Sequence, residues 1–353
     1  MVNSAQFLRI FAAFAVVLFH GRLLFDNSQR DIADYWLRGG YVGVDIFFLI
    51  SGFVMYLTTT ENSRPLSFLL KRLIRIVPMY YLCSFVFFVA GGGAQPMGEL
   101  ITSLLFCPPA GQHRPPFLGY ATLYVGWTLN YEMWFYLVFA LSLFCRKNRY
   151  PALLILLIVP ILAVQTATGH YGLNPAKAAT SPIPYLALIS NPLLLEFPAG
   201  ILLGFIYKTS FQLPAAPAKG LLSVAIGFFL YRYIGNHFHG HGLLRAGLPA
   251  FILFLSLIIY EKSRPIKLPP LLAKLADASY SLYLIHPILV KQIAPQLKPV
   301  MSDMTLFILY LVASLFLAFI VHTMIEAPIT EKLRRKLLRR PAAEPAASRL
   351  PLA

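Results

Sequence analysis

Apolar runs recur along this chain so densely that little length remains between them for a water-soluble domain. Of its 353 residues, 58% are hydrophobic and 12% are charged, and the mean hydropathy is +0.67. Soluble chains carry about 25% charged residues. A backbone crossing a bilayer must satisfy its own hydrogen bonds, and a helix of about 20 apolar residues does so. The pattern predicts an all-α, polytopic integral membrane protein. About ten transmembrane helices are expected, near 4–25, 40–60, 76–92, 123–145, 151–168, 190–207, 219–236, 245–261, 276–294 and 304–325.

The net charge of +16 raises nucleic acid as a partner. That reading is rejected because the cations sit in short loops between apolar spans, where they set orientation. With the N-terminus inside, most of the 30 Lys and Arg residues fall on one side. Both termini are therefore expected in the cytoplasm, and an even number of helices follows. The first span is too long for a cleaved signal, and no small-residue cleavage site follows it. Cys83, Cys107 and Cys145 are scattered, without metal or disulfide spacing. Residues 1–330 form one transmembrane domain. Residues 331–353 are a basic, then Ala/Pro-rich tail expected to be disordered. A Gly/Pro-rich outer loop, about 93–122, is a candidate cap for an outward cavity.

Two residues of the first span are out of place in a simple lipid anchor. Arg9 and His20 are eleven residues apart, which is roughly three helical turns and about 16 Å, so they share a face near opposite ends. An ionisable group in a membrane helix faces protein or a water-filled cavity. Lys71, Arg72 and Arg75 gather near the same inner side as Arg9. Asp45, Glu132, Glu196 and His286 fall toward the outer half or middle. This polarity suits a coenzyme A thioester, with its phosphates on Arg and Lys and its long arm reaching inward. His20 is then the general base for an attacking hydroxyl. Glu132 or Asp45 is expected to orient or stabilise its ring. Trp127, Tyr131, Trp134 and Tyr136 are candidates for stacking on a sugar. His237, His239 and His241 alternate in an outer loop, but without nearby Cys or a fixed carboxylate no metal is expected.

The motifs carrying these residues resemble the acyltransferase 3 family of integral-membrane acyltransferases. Arg9 and His20 match its Arg-x10-His element. GGYVGVDIFFLISGFVMY (39–56) resembles its second-helix signature, and FLLKRLIRIVPMYY (68–81) its basic segment, with Lys71 where Arg is common. GWTLNYEMWFY matches through Trp127, Thr128, Leu129, Glu132, Phe135 and Tyr136. ASYSLYLIHPI matches through Ser279, Tyr280, Tyr283, Leu284 and His286, and IEAP closes at 325–328.

The resemblance implies transfer of an acyl group, most often acetyl, from cytoplasmic acetyl-CoA to a hydroxyl. Expected acceptors are envelope polysaccharides or glycolipids of the O-antigen or exopolysaccharide type, and the expected location is a bacterial inner membrane. It points to His20, Glu132 and Asp45 as catalytic, and to Arg9, Lys71, Arg72 and Arg75 as donor-binding. Trp127, Tyr131, Tyr136, Tyr283 and His286 are assigned to the acceptor. A transporter of a glycolipid or acylated metabolite is the rival reading, disfavoured by the lack of a repeat signature. A different acyl group, such as succinyl, and a small-molecule acceptor both stay open.

Overall fold

The computed structural model describes residues 2–338 apart from 94, 110–114, 179–180 and 182. Part of the expected outer loop, including Arg114, lies outside the described residues, as does the tail from 339 onward. Among the described residues the chain is all helix and loop, with no strand.

Helices occupy each of the ten predicted segments: α1 (Asn3–Gly21), α3 (Val42–Thr58), α4 (Pro65–Ala90), α6 (Trp127–Ser142), α7 (Arg149–Thr168), α9 (Glu196–Lys208), α10 (Ala215–Tyr233), α11 (Gly247–Ser263), α13 (Ser279–Ile288) and α15 (Asp303–Val321). Shorter helices lie between them: α2 (Asn27–Leu37), α5 (Met97–Leu104), α8 (Pro184–Ile189), α12 (Pro270–Asp277) and α14 (Ala294–Leu297). Six helical stretches are long and apolar enough to cross a membrane. One of them, Tyr124–Thr168, holds both α6 and α7, which meet at a kink where Arg146 has φ 47° and pack on each other.

Two boundaries differ from the sequence reading. α4 begins at Pro65, about three turns before the predicted 76, because Pro is favoured in the first turn of a helix. The basic residues 71–75 therefore project from a helix instead of a loop. At the other end, α15 runs through a π-turn, His322–Glu326, into α16 (Ala327–Leu338). The described part of the expected tail, through Leu338, is helical and not disordered. Pro328 is tolerated because the widened turn comes just before it.

The helix α1 packs against α3, α11, α13 and α15. Its first turn is capped by α11, where the Glu261 carboxylate accepts the backbone N–H groups of Asn3 (2.8 Å) and Ser4 (3.0 Å). Together α1 and α3 divide two apolar cores. One, around Val16, Phe48, Phe135 and Leu284, joins α4, α6, α13 and α15; the other, around Leu8, Ile46, Phe53 and Phe254, joins α9 and α11. Glycine allows these helices to touch. A Cβ on Gly43 would lie 2.3 Å from the Ala12 carbonyl oxygen, and one on Gly52 would lie 2.0 Å from that of Phe197. Small residues at such crossings let membrane helices approach closely.

Candidate active site

Two cavities open within the helix bundle and share Val44 and Tyr283 in their walls. The smaller cleft is lined by Arg9, Arg72, Arg75, Glu132, Tyr136 and Ser51, among others. The larger is lined by His20, Tyr41, Phe117, Tyr124, Trp127 and His241, among others. Arg9 and His20 thus face the bundle interior from one helix, one in each cavity, as their spacing predicts. Val44 and Tyr283 stand in the wall common to both cavities. The Tyr283 hydroxyl donates to the Val125 carbonyl (2.9 Å) and lies 2.7 Å from Thr128 Oγ1, which holds the ring in the α6–α13 seam.

The smaller cleft holds three guanidinium groups against one carboxylate. Arg9 is buried among α1, α3 and α13. Arg72 reaches Thr58 Oγ1 at 3.3 Å and lies over the rings of Phe68 and Tyr136. Lys71 is exposed and lines neither cavity, so its assignment beside Arg72 and Arg75 is corrected: neighbours in helical sequence point about 100° apart.

Glu132 also belongs to this cleft, away from His20. Its Oε1 accepts from Ser51 Oγ (2.8 Å) and from the Tyr136 hydroxyl, one turn along α6. Depth along a helix was readable from sequence, but the rotation of α6 against α1 and α3 was not. Its expected role as the His20 partner is therefore not what the geometry shows. Tyr136 likewise lines this cleft and not the larger cavity.

The ring beside His20 is another imidazole. His20 Nδ1 lies 3.0 Å from the Val16 carbonyl and 3.1 Å from Nε2 of His286. His286 is fully buried, and its own Nδ1 lies 3.1 Å from the Leu282 carbonyl. Carbonyl oxygens only accept, so these contacts assign the neutral tautomers. His286 carries its proton on Nδ1 and offers a bare Nε2. His20 carries its proton on Nδ1, shared between Val16 O and His286, which leaves Nε2 of His20 as the basic atom. Pro287 follows His286 and lacks the N–H that would bond the Tyr283 carbonyl, so the helix loosens where this ring turns back on its own turn. The expected role of His286 on the acceptor is corrected accordingly: its ring contacts His20. Tyr124 completes the setting, edge-on to His20 with centroids 5.1 Å apart.

Asp45 is a further correction. It is fully buried, and Oδ2 accepts from His241 Nδ1 (2.7 Å) while Oδ1 accepts from the Gly242 N–H (2.9 Å). It orients His241, a loop histidine for which the sequence suggested no role, and not His20. Trp127 lines the larger cavity. Tyr131 does not: it is buried, with its hydroxyl donating to the Pro116 carbonyl at 2.7 Å. Trp134 packs edge-on to Tyr185 and lines neither cavity. Glu326 lies 2.9 Å from His322 Nδ1 and accepts from Ser281 Oγ (2.6 Å).

The helical bundle thus holds a guanidinium-lined cleft and, at the adjoining cavity, an imidazole pair. Residues 2–323 match the family model described as an acyltransferase domain, and the chain belongs to this acyltransferase 3 family. It is an acyltransferase of the non-aminoacyl class. The exopolysaccharide production protein ExoZ of Rhizobium meliloti is 31% identical over 312 residues, covering 85% of this chain and 90% of ExoZ. The peptidoglycan O-acetyltransferase OatA of Listeria monocytogenes is 24% identical, covering 93% of this chain and 56% of OatA. The putative membrane-bound transacylase BcsY of Komagataeibacter xylinus is 26% identical, covering 62% of this chain and 54% of BcsY. The chain thus spans about half the length of the last two. No solved structure matches.

Proposed function

We propose that this protein transfers an acetyl group from cytosolic acetyl-CoA to a hydroxyl of an envelope polysaccharide or glycolipid. The observation that carries the reading is the pair of cavities meeting at Val44 and Tyr283, one holding Arg9, Arg72 and Arg75 and the other His20. In this reading ten helices span a bacterial inner membrane with both termini in the cytosol, so the guanidinium-lined cleft faces the donor. The bias of Lys and Arg toward that side supports it. The arginines hold the donor's phosphates through charge-assisted hydrogen bonds. The pantetheine arm extends past Tyr283, a distance of the order of the about 16 Å between Arg9 and His20.

The acceptor hydroxyl enters from the larger cavity and gives its proton to Nε2 of His20. Its oxygen attacks the thioester carbonyl, a C–O bond forms, and the C–S bond breaks. The departing thiolate takes the proton back from His20. While His20 is charged, its Nδ1–H points at the lone pair of His286 Nε2, which stabilises the cation without a buried carboxylate. Similarity to an O-acetyltransferase and to an exopolysaccharide protein supports the acetyl group and the acceptor class.

The test is purified protein in lipid nanodiscs with acetyl-CoA labelled in the acetyl group and oligosaccharides from the host's own envelope. Alkali-labile label on the saccharide is expected. Label that stays on the donor, with transfer appearing only from succinyl-CoA, would reassign the acyl group; no transfer from either would overturn the reading.

A further inference from the structure

The larger cavity holds a further imidazole, His241, whose construction the acyl-transfer chemistry does not use. His241 sits at the tip of a loop between α10 and α11, flanked by Gly240 (φ 108°) and Gly242 (φ 117°). Those backbone angles favour glycine, and at Gly242 a side chain is also excluded, since a Cβ would lie 2.5 Å from the Pro175 ring. Three hydrogen bonds tie this tip to the start of α3. Gly240 N–H donates to the Tyr41 hydroxyl (2.7 Å), Gly242 N–H to Asp45 Oδ1 (2.9 Å), and His241 Nδ1–H to Asp45 Oδ2 (2.7 Å). The buried carboxylate fixes both the tautomer and the angle of the ring, leaving Nε2 to accept a hydrogen bond.

Around this ring stand three aromatic side chains, each edge-on to it. Centroids lie 4.9 Å away for Tyr41, 5.5 Å for Trp127 and 6.2 Å for Phe117. All four residues line the larger cavity. Such a box, with apolar ring surface around a fixed polar atom, is how a pocket fixes orientation with few polar groups. A pyranose has just this character: C–H faces that lie on aromatic rings and hydroxyls that donate to a nitrogen lone pair.

We propose that His241, held by Asp45, is a binding residue for the acceptor saccharide, and that Trp127, Phe117 and Tyr41 form the walls of that subsite. His241 accepts a hydrogen bond from one sugar hydroxyl while His20, elsewhere in the same cavity, takes the proton of the hydroxyl that reacts. The substrate class rests on the acyl-transfer reading, but saccharide binding can be measured without transfer.

The experiment uses the full chain in nanodiscs, which avoids glycoside detergents. Methyl glycosides of glucose, galactose, mannose, rhamnose, N-acetylglucosamine and glucuronic acid are titrated while tryptophan fluorescence is followed. The wild-type protein is expected to bind at least one of them. His241→Ala is expected to weaken that binding by about tenfold, the loss of one buried hydrogen bond, and His241→Gln, which keeps an acceptor, to restore part of it. Lys71→Ala, at an exposed position outside both cavities, is expected to bind the glycoside as the wild type does. CoA affinity measured on the His241 variants reports whether the bundle is intact. No binding of any glycoside by the wild type, or equal binding by a His241→Ala variant that still binds CoA, overturns the proposal. Glycoside binding that depends on His241 in a protein transferring no acyl group would sustain the subsite and overturn the transfer reading alone.

Discussion

Nδ1 of His20 faces Nε2 of His286 at 3.1 Å across the contact between α1 and α13. In a hydrolytic triad a carboxylate holds that place. Here the partner is neutral, and its own proton is committed to the Leu282 carbonyl. A neutral partner orients the base without lowering a fixed negative charge into the bilayer, where an isolated ionised group is costly.

His20→Ala is expected to remove transfer, and His286→Ala to lower kcat by about 10²-fold, the size of a general acid–base contribution. Both KM values for His286→Ala should stay within roughly twofold, because the ring touches His20 and not the substrates. Steady-state kinetics with labelled acetyl-CoA measures this. A change confined to KM would place His286 on a substrate instead.

Donor binding separates the inner residues. Arg9→Ala and Arg75→Ala are each expected to raise the donor KM by about tenfold through loss of a charge-assisted contact. Lys71→Ala, at an exposed position outside the cleft, should alter it by no more than roughly twofold. Glu132→Gln is expected to shift donor KM and leave the ratio of kcat to wild type near one. A loss of about 10² in kcat for Glu132→Gln would restore it as the partner of His20.

The wall shared by the two cavities predicts a separation of binding from transfer. Val44→Phe adds bulk where the two cavities meet, beside Phe47 and Tyr283, whose rings are 5.9 Å apart. CoA should still bind, as calorimetry would show, while transfer falls by at least about tenfold because a small displacement of reacting groups costs that much or more. Wild-type transfer by this variant would mean that the donor does not pass between Val44 and Tyr283.

Helix contact at α3 and α9 is set by glycine on both sides. Cβ atoms on Gly52 and Gly200 would lie 2.0 Å from the carbonyl oxygens of Phe197 and Leu49. Gly52→Ala and Gly200→Ala should each destabilise the bundle by about 1–3 kcal/mol, as overpacked contacts do. Thermal unfolding in nanodiscs reads the effect. Gly220, whose surroundings are open, should accept Ala without loss.

The sequence by itself determined the helical class, since apolar runs in a bilayer have few other ways to satisfy their backbones. It also placed Arg9 and His20 on one face, because that relation lies within a single helix and follows from its pitch. Relations between helices were beyond it. Whether Glu132 meets His20 or Ser51, and whether Asp45 serves His20 or His241, depends on how α1, α3 and α6 rotate and cross. That rotation comes from side-chain packing and glycine contacts distributed over the whole bundle. Only the tertiary structure could therefore pair His20 with His286, 266 positions away, and bring a loop histidine onto a buried aspartate.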